Sequence, residues 1–335
     1  CFSVADGFSL PRQVYKATKF STTRTLSMSS SVEDGTTTAA AASSSSAEEG
    51  ESMYVASEIE VPLSFDQMVR QAAAAMRDAY DKGMKRQTVR ILLPRDPSSG
   101  QIGRYFEPDA QLDTTELILA PPDESWQGGI MQLYRSCEPA CEEILRYYSP
   151  VEGGLPPRIT EDRSIDESGV DGMGLLITEN VSPSEDVSCF VQPSQETTDA
   201  VESICDQAGD RLVVLINPQW RDVDDALDTY SKDEGFMGQL ASFLGGKGNT
   251  LKRLSGLGFE LAYTLDGYVC KGGNIRLFKR FDTDWNVFAE NDSATDYIKV
   301  GTSKTRPTYQ DVEKMLDDKG ISLKYARDFG LAPKL

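Results

Sequence analysis

The chain has 335 residues, 39% of them hydrophobic, with 34 Lys and Arg against 53 Asp and Glu for a formal charge of −19, and no histidine. That acidity repels phosphate backbones and argues against nucleic-acid binding, and apolar runs such as 212–216 fall far short of the roughly 18 residues of a membrane helix. Without histidine the commonest general base and neutral metal ligand are gone, and with them any Ser-His or Cys-His catalysis within one chain.

Residues 1–32 carry Arg12, Lys16, Lys19 and Arg24 against the single acid Asp6, together with eleven Ser or Thr. This basic, hydroxyl-rich, acid-poor composition is that of an organellar presequence of plastid type. An ordinary disordered tail is the alternative. Residues 33–60 then turn acidic around the Thr/Ala/Ser stretch 36–47, which cannot bury a core. The folded body is expected over 61–335.

Ser64 opens a helical pattern in which Phe65, Met68, Val69, Ala72, Ala75 and Met76 recur at intervals of three and four, closing at Gly83. Thr88–Leu93 and Glu116–Ala120 read as strands stopped by prolines. An amphipathic helix is expected over Gly129–Tyr148, kinked or broken in two at Pro139. The stretch 149–170, rich in Pro, Gly and charge, reads as an exposed loop. Two short strands follow at Gly174–Thr178 and Val187–Val191, then a helix capped by Ser194 and reaching Ala208. Leu212–Ile216 is an uninterrupted apolar run, the pattern of a strand covered on both faces.

Helices are expected at Asp233–Leu244 and Thr250–Leu257. From Phe259 the period changes to that of a meander. Its strands Phe259–Leu265, Tyr268–Val269 with Ile275–Phe281, and Trp285–Ala289 are parted by Asp-Gly, Gly-Gly and Asp-Thr-Asp turns. Thr308 caps a last helix to Asp318, with Asp311 in capping-box position. The expectation is a three-layer, Rossmann-like α/β fold whose mostly parallel sheet is extended by a C-terminal antiparallel meander; a two-domain split near residue 258 is the alternative.

In such sheets ligands bind beyond the carboxyl ends of strands. The leading candidate is Asn217-Pro218-Gln219-Trp220-Arg221: Asn217 and Gln219 offer donors and acceptors, Trp220 a flat apolar face, Arg221 an anion partner. Equally, Asn217 could bond its own turn and Trp220 cover a sheet edge. Arg95, in the turn after the first strand, occupies a comparable place. Trp126, before Gly128 and Gly129, stands at a helix amino end, where Asp123 and Glu124 would repel an anion.

The segment Gly245–Thr250 only superficially resembles a phosphate loop, with Ala241 where the first glycine belongs and Gly248 in place of the magnesium-binding hydroxyl. Asp222, Asp224 and Asp225 lack EF-hand spacing. Six cysteines include no C-x-x-C pair; Cys137 and Cys141 share a helix face, either as structural thiols or as a redox pair. No cofactor and no metal site is expected from these patterns.

Several of these features together resemble one family. Pro62, Phe65, the Ala72–Ala75 run, Gly83 and the basic-then-apolar stretch Lys85–Leu93 match the opening of the DUF1995 domain. So do Asn217-Pro218-Gln219-Trp220, the Tyr263–Phe281 hairpin with Trp285, and Arg306-Pro307-Thr308-Tyr309. The resemblance implies a setting in cyanobacteria or in plastids. One plant branch, of the low-PSII-accumulation type, looks like a photosystem II assembly factor, and another is fused to a chloroplast adenylate kinase, a module this chain does not show.

Two functions follow as expectations. The first is a non-catalytic plastid protein, in the stroma or at the thylakoid periphery, that binds a photosystem subunit or assembly factor, with Tyr268, Phe278, Phe281 and Trp285 as a candidate partner surface. Peripheral contact with the thylakoid through Lys271, Lys279 and Arg280 belongs to the same expectation, against the overall charge. The second is a small-molecule or nucleotide binder using the loops around Asn217.

Overall fold

The structure is a computed structural model in which residues 59–93, 129–149, 157–180, 182–219, 253–254 and 256–335 are described. All of them belong to one compact unit, 58–335, and a single sheet crosses residue 258, so the chain does not divide there.

Helix α1 (Phe65–Asp81) starts where Ser64 accepts from the Gln67 N–H, and its small buried face of Ala72, Ala73, Ala75 and Ala79 lies close against the sheet. It leads into β1 (Arg86–Arg90). Helix α2 (Gly129–Tyr148) runs unbroken through Pro139, contrary to the expected break. The carbonyl deprived of its donor there belongs to Arg135, an exposed residue.

Then come β2 (Arg158–Asp162), β3 (Gly174–Glu179), β4 (Ser188–Val191), α3 (Thr198–Ala208) and β5 (Val213–Ile216). Strand β2 lies in the stretch expected to be a loop. It is a charged edge strand, and its sequence carries no apolar face to announce it. A side-chain carbon added at Gly174 would meet Tyr134 Oη at 2.1 Å, so α2 presses directly on β3.

Strands β6 (Glu260–Cys270), β7 (Gly273–Arg280), β8 (Trp285–Glu290) and β9 (Tyr297–Ser303) form the meander. The Asp266-Gly267 pair, expected as a turn, lies inside β6, while the expected Gly-Gly turn does form, at Lys271 and Gly272, both at positive φ. Strand β9 was not expected. Helix α4 (Tyr309–Asp318) has the full Thr308–Asp311 capping box, and a short α5 (Lys324–Asp328) follows it.

The nine strands run β2-β3-β4-β5-β1-β6-β7-β8-β9. Only the pairings β4–β5, β5–β1 and β1–β6 are parallel, and the other five are antiparallel. The expectation of a mostly parallel sheet is therefore corrected. The C-terminal meander is antiparallel as expected, but so is the opposite flank, because short connections join β2 to β3 and β3 to β4 and leave no room for a crossover.

Alternation along β5 sets the layers. Val214 and Ile216 join the core under α1 and α2, whereas Val213 and Leu215 join the core under α3. A third cluster, including Ile275, Leu277, Trp285 and Val287, packs beneath Val312 and Leu316 of α4. Phe278 and Trp285 are buried, at 0% and 1% exposure, so two of the four aromatics considered as a partner surface belong to the core.

Candidate functional site

Of the six residues singled out from the sequence, Asn217 and Gln219 can be placed; Arg95, Trp126, Trp220 and Arg221 lie outside the described residues, as do Asp222–Asp225 and the loop Gly245–Thr250. Asn217 follows the last residue of β5 at φ 48°. Its Oδ1 accepts the Ile91 N–H at 2.8 Å and its Nδ2 donates to the Ile91 carbonyl at 3.1 Å. Its own N–H donates to Val89 O at 2.9 Å. The side-chain amide thus acts as one more rung of the β5–β1 ladder. Gln219 Nε2 donates to the Gln192 carbonyl at 3.1 Å, and Gln192, also at positive φ, donates to Gly172 O at 3.3 Å. Three strand exits, those of β1, β4 and β5, are stitched together by these amides.

Beneath the stitch lie thiols. Cys137, Cys141 and Cys189 are each fully buried and in no disulfide, with Cys137 Sγ in hydrogen-bond contact with Cys141 Sγ at 3.8 Å and accepting from Asn217 Nδ2 at 3.7 Å. Burial, with the neighbouring thiols adding to it, pushes Cys141 well above the ordinary thiol range. A protonated, enclosed thiol is neither nucleophile nor ligand, so this cluster works as packing. Among the described residues no group of three or more Cys, Asp or Glu is arranged to hold a metal ion.

A group of buried charges stands on the face of the sheet away from α1 and α2. Sheet register puts Thr88 and Arg90 of β1, Thr264 and Asp266 of β6 and Lys279 of β7 on this face. Asp266, 3% exposed, is ion-paired with Arg306, whose guanidinium lies 5.5 Å from the Trp285 ring. Lys279 Nζ approaches the same ring at 5.6 Å. Thr88 Oγ1 and Thr264 Oγ1 are buried with no hydrogen-bond partner among the described residues. Cations and hydroxyls are groups that hold an anion. Sequence reading missed Arg90, Thr264 and Asp266 as a group; the available signal was Thr264 and Asp266 alternating with Tyr263 and Leu265 along β6.

A second charged group joins α2 to β2. Tyr134 Oη donates to Glu161 at 2.6 Å, and Arg163 stacks 4.1 Å from the Tyr134 ring. Beside them burial, reinforced by the negative charge of Glu142, pushes the Glu138 carboxyl up to about 8. A carboxyl raised in the folded state contributes most below its unfolded value, near 4.5, and loses that contribution as pH climbs towards 8. Glu138→Gln, unable to ionise, is therefore expected to gain about 3 °C in Tm relative to the parent between pH 5 and pH 8.5. Thermal melts at the two pH values check this; an unchanged difference would contradict the assignment.

The family model described as "Domain of unknown function (DUF1995)" matches residues 62–314, most of the chain. The chain belongs to that family. No curated protein and no solved structure matches it.

Proposed function

We propose that this member of the DUF1995 family is a non-catalytic plastid protein that binds a protein partner during assembly or regulation of photosystem and thylakoid complexes. Family membership and the basic, hydroxyl-rich leader support the setting. The observation that carries a binding role is an apolar surface at the C-terminal tip. There Leu323, Tyr325, Phe329 and Leu331 stand 57%, 66%, 67% and 76% exposed. Exposed side chains of this size gathered on one short segment mark a contact surface. The same reading takes the centre of the sheet as Rossmann-like and three-layered, supported by the helices on both sides of β5.

The alternative, a small-molecule or nucleotide binder around Asn217, has less to stand on, since both polar atoms of that amide already bond Ile91. The test is a pull-down with the full chain from stromal and detergent-solubilised thylakoid extracts. Enrichment of a photosystem subunit or assembly factor over a mock bait is expected, and its absence from both extracts would count decisively against the proposal.

A further inference from the structure

We infer that the C-terminal tip, residues 321–331, is a docking surface for an anionic lipid bilayer. The tip is held rigidly from behind. Arg327, on the inner side of α5, is ion-paired through Nε with Asp292 at 2.8 Å, both side chains being 4% exposed, and it also donates to Ser322 O. Asp292 accepts in turn from the Leu335 N–H at 2.7 Å, and Lys324 N donates to Lys271 O at 2.8 Å.

The helix ends in a Schellman turn: Leu331 N–H bonds Ala326 O at 2.8 Å and Gly330 N–H bonds Arg327 O at 3.2 Å, with Gly330 at φ 70°. The apolar residue after such a turn commonly folds back onto the helix, yet Leu331 is the most exposed large hydrophobic residue described. The Tyr325 and Phe329 rings touch at 4.6 Å, making one continuous outer face. A buried ion pair is a weak source of stability but a good fixer of geometry, and here the geometry it fixes is that of an uncovered apolar face.

Charge selects the occupant. Residues 297–335 carry eight Lys or Arg against five Asp or Glu; with their ion-pair partners Asp266, Asp292 and Lys271 added the balance is +2, whereas the rest of the chain stands at −21. Screening reaches only about 8 Å at physiological ionic strength, so a surface touching the tip feels the local cations and little of the acidic body. The well-exposed cations of the segment are lysines, among them Lys319 and Lys334, while its arginines are held inside in ion pairs. Protein interfaces favour arginine and exclude lysine from their centres. Exposed lysines in the same segment as exposed aromatic and leucine side chains instead suit lipid headgroups over a shallow acyl layer. The acids beside the tip are partly spoken for: Asp328 pairs with Lys324 at 3.2 Å and Asp317 pairs with Lys271.

The inference gives the surface on which the protein-partner reading rests a different occupant, so at the tip the two readings are alternatives that the following experiment separates. The experiment is co-sedimentation of the full chain with vesicles of phosphatidylcholine alone or with about a third phosphatidylglycerol. Wild type is expected to bind the anionic vesicles several-fold better and to release in high salt. Phe329→Ser/Leu331→Ser is expected to lose about tenfold or more in partitioning while melting at the wild-type temperature, because both side chains already face water. Lys319→Glu/Lys334→Glu is expected to lose the preference for anionic lipid.

Failure of wild type to bind anionic vesicles, or equal binding by the serine variant, overturns the inference. Loss of a pulled-down partner by the serine variant in detergent, with no vesicle binding by wild type, would make the tip a protein interface instead. Vesicle binding without any enriched partner would overturn only the assembly role.

Discussion

Asp292→Ala is expected to destabilise the fold by about 3–5 kcal/mol and to lower Tm by about 10 °C at pH 7. The carboxylate serves two donors, Arg327 Nε at 2.8 Å and Leu335 N at 2.7 Å, in a place where neither charged side chain meets water. Its removal leaves a guanidinium buried without its countercharge, and that orphaned cation, more than the lost attraction, sets the size of the effect. Removing both charges should therefore hurt less: Asp292→Leu/Arg327→Met is expected to melt above Asp292→Ala, the non-additivity of a contacting pair.

Burial alone would raise the Asp292 carboxyl, but the Leu335 N–H and Arg327 outweigh it and hold the group below the usual range. A depressed carboxyl contributes fully above its unfolded value of about 4, and the contribution drains as pH falls through the folded one. Wild type and the alanine variant should thus converge in acid. Urea titrations at pH 7 and pH 3 measure both effects. A loss under about 1 kcal/mol at pH 7 would mean that Arg327 finds solvent once its partner is gone.

The elements most legible in the sequence were those with one unambiguous period and a chemical cap. Ser64 and Thr308 each start their helices by accepting a backbone N–H three residues on, and the apolar run ending at Ile216 is a strand covered on both faces. Where the reading failed, tertiary structure supplied what local chemistry did not. Asp266-Gly267 has the composition of a hairpin turn, yet Asp266 is drawn into β6 by its ion pair with Arg306, forty residues away in sequence. Strand β2 is charged because it is an edge, and a charged edge looks like a loop until its neighbour is known.

The site was legible only in part for a related reason. Asn217 does stand at a strand end, directly after β5, but spacing cannot reveal that Ile91, 126 residues earlier, occupies both of its polar atoms. The exposed tip was invisible for the opposite cause: Tyr325, Phe329 and Leu331 look like core residues until the packing leaves them outside.

Asn217→Ala separates a structural amide from a ligand-binding one, and the structure favours the first with an expected loss of about 3 kcal/mol. Two contributions add. The Ile91 N–H and carbonyl each lose a partner in a partly buried position, at about 1 kcal/mol or somewhat more apiece. Alanine must also take up φ 48°, a left-handed conformation that asparagine tolerates and alanine does not, at about 1 kcal/mol. Asn217→Gly removes the second contribution and keeps the first, so it should fall between alanine and wild type. Asn217→Asp keeps an acceptor for the Ile91 N–H but sets a carboxylate oxygen against the Ile91 carbonyl, and is expected to be no better than alanine.

The readout is thermal melting together with amide hydrogen exchange at Ile91, which should speed up in the alanine and glycine variants, where the Ile91 N–H loses its acceptor, and less in the aspartate variant, which keeps one. If alanine instead melts with wild type and Ile91 stays protected, the amide is dispensable to the fold, and the strand-end loop regains its standing as a place where a ligand binds.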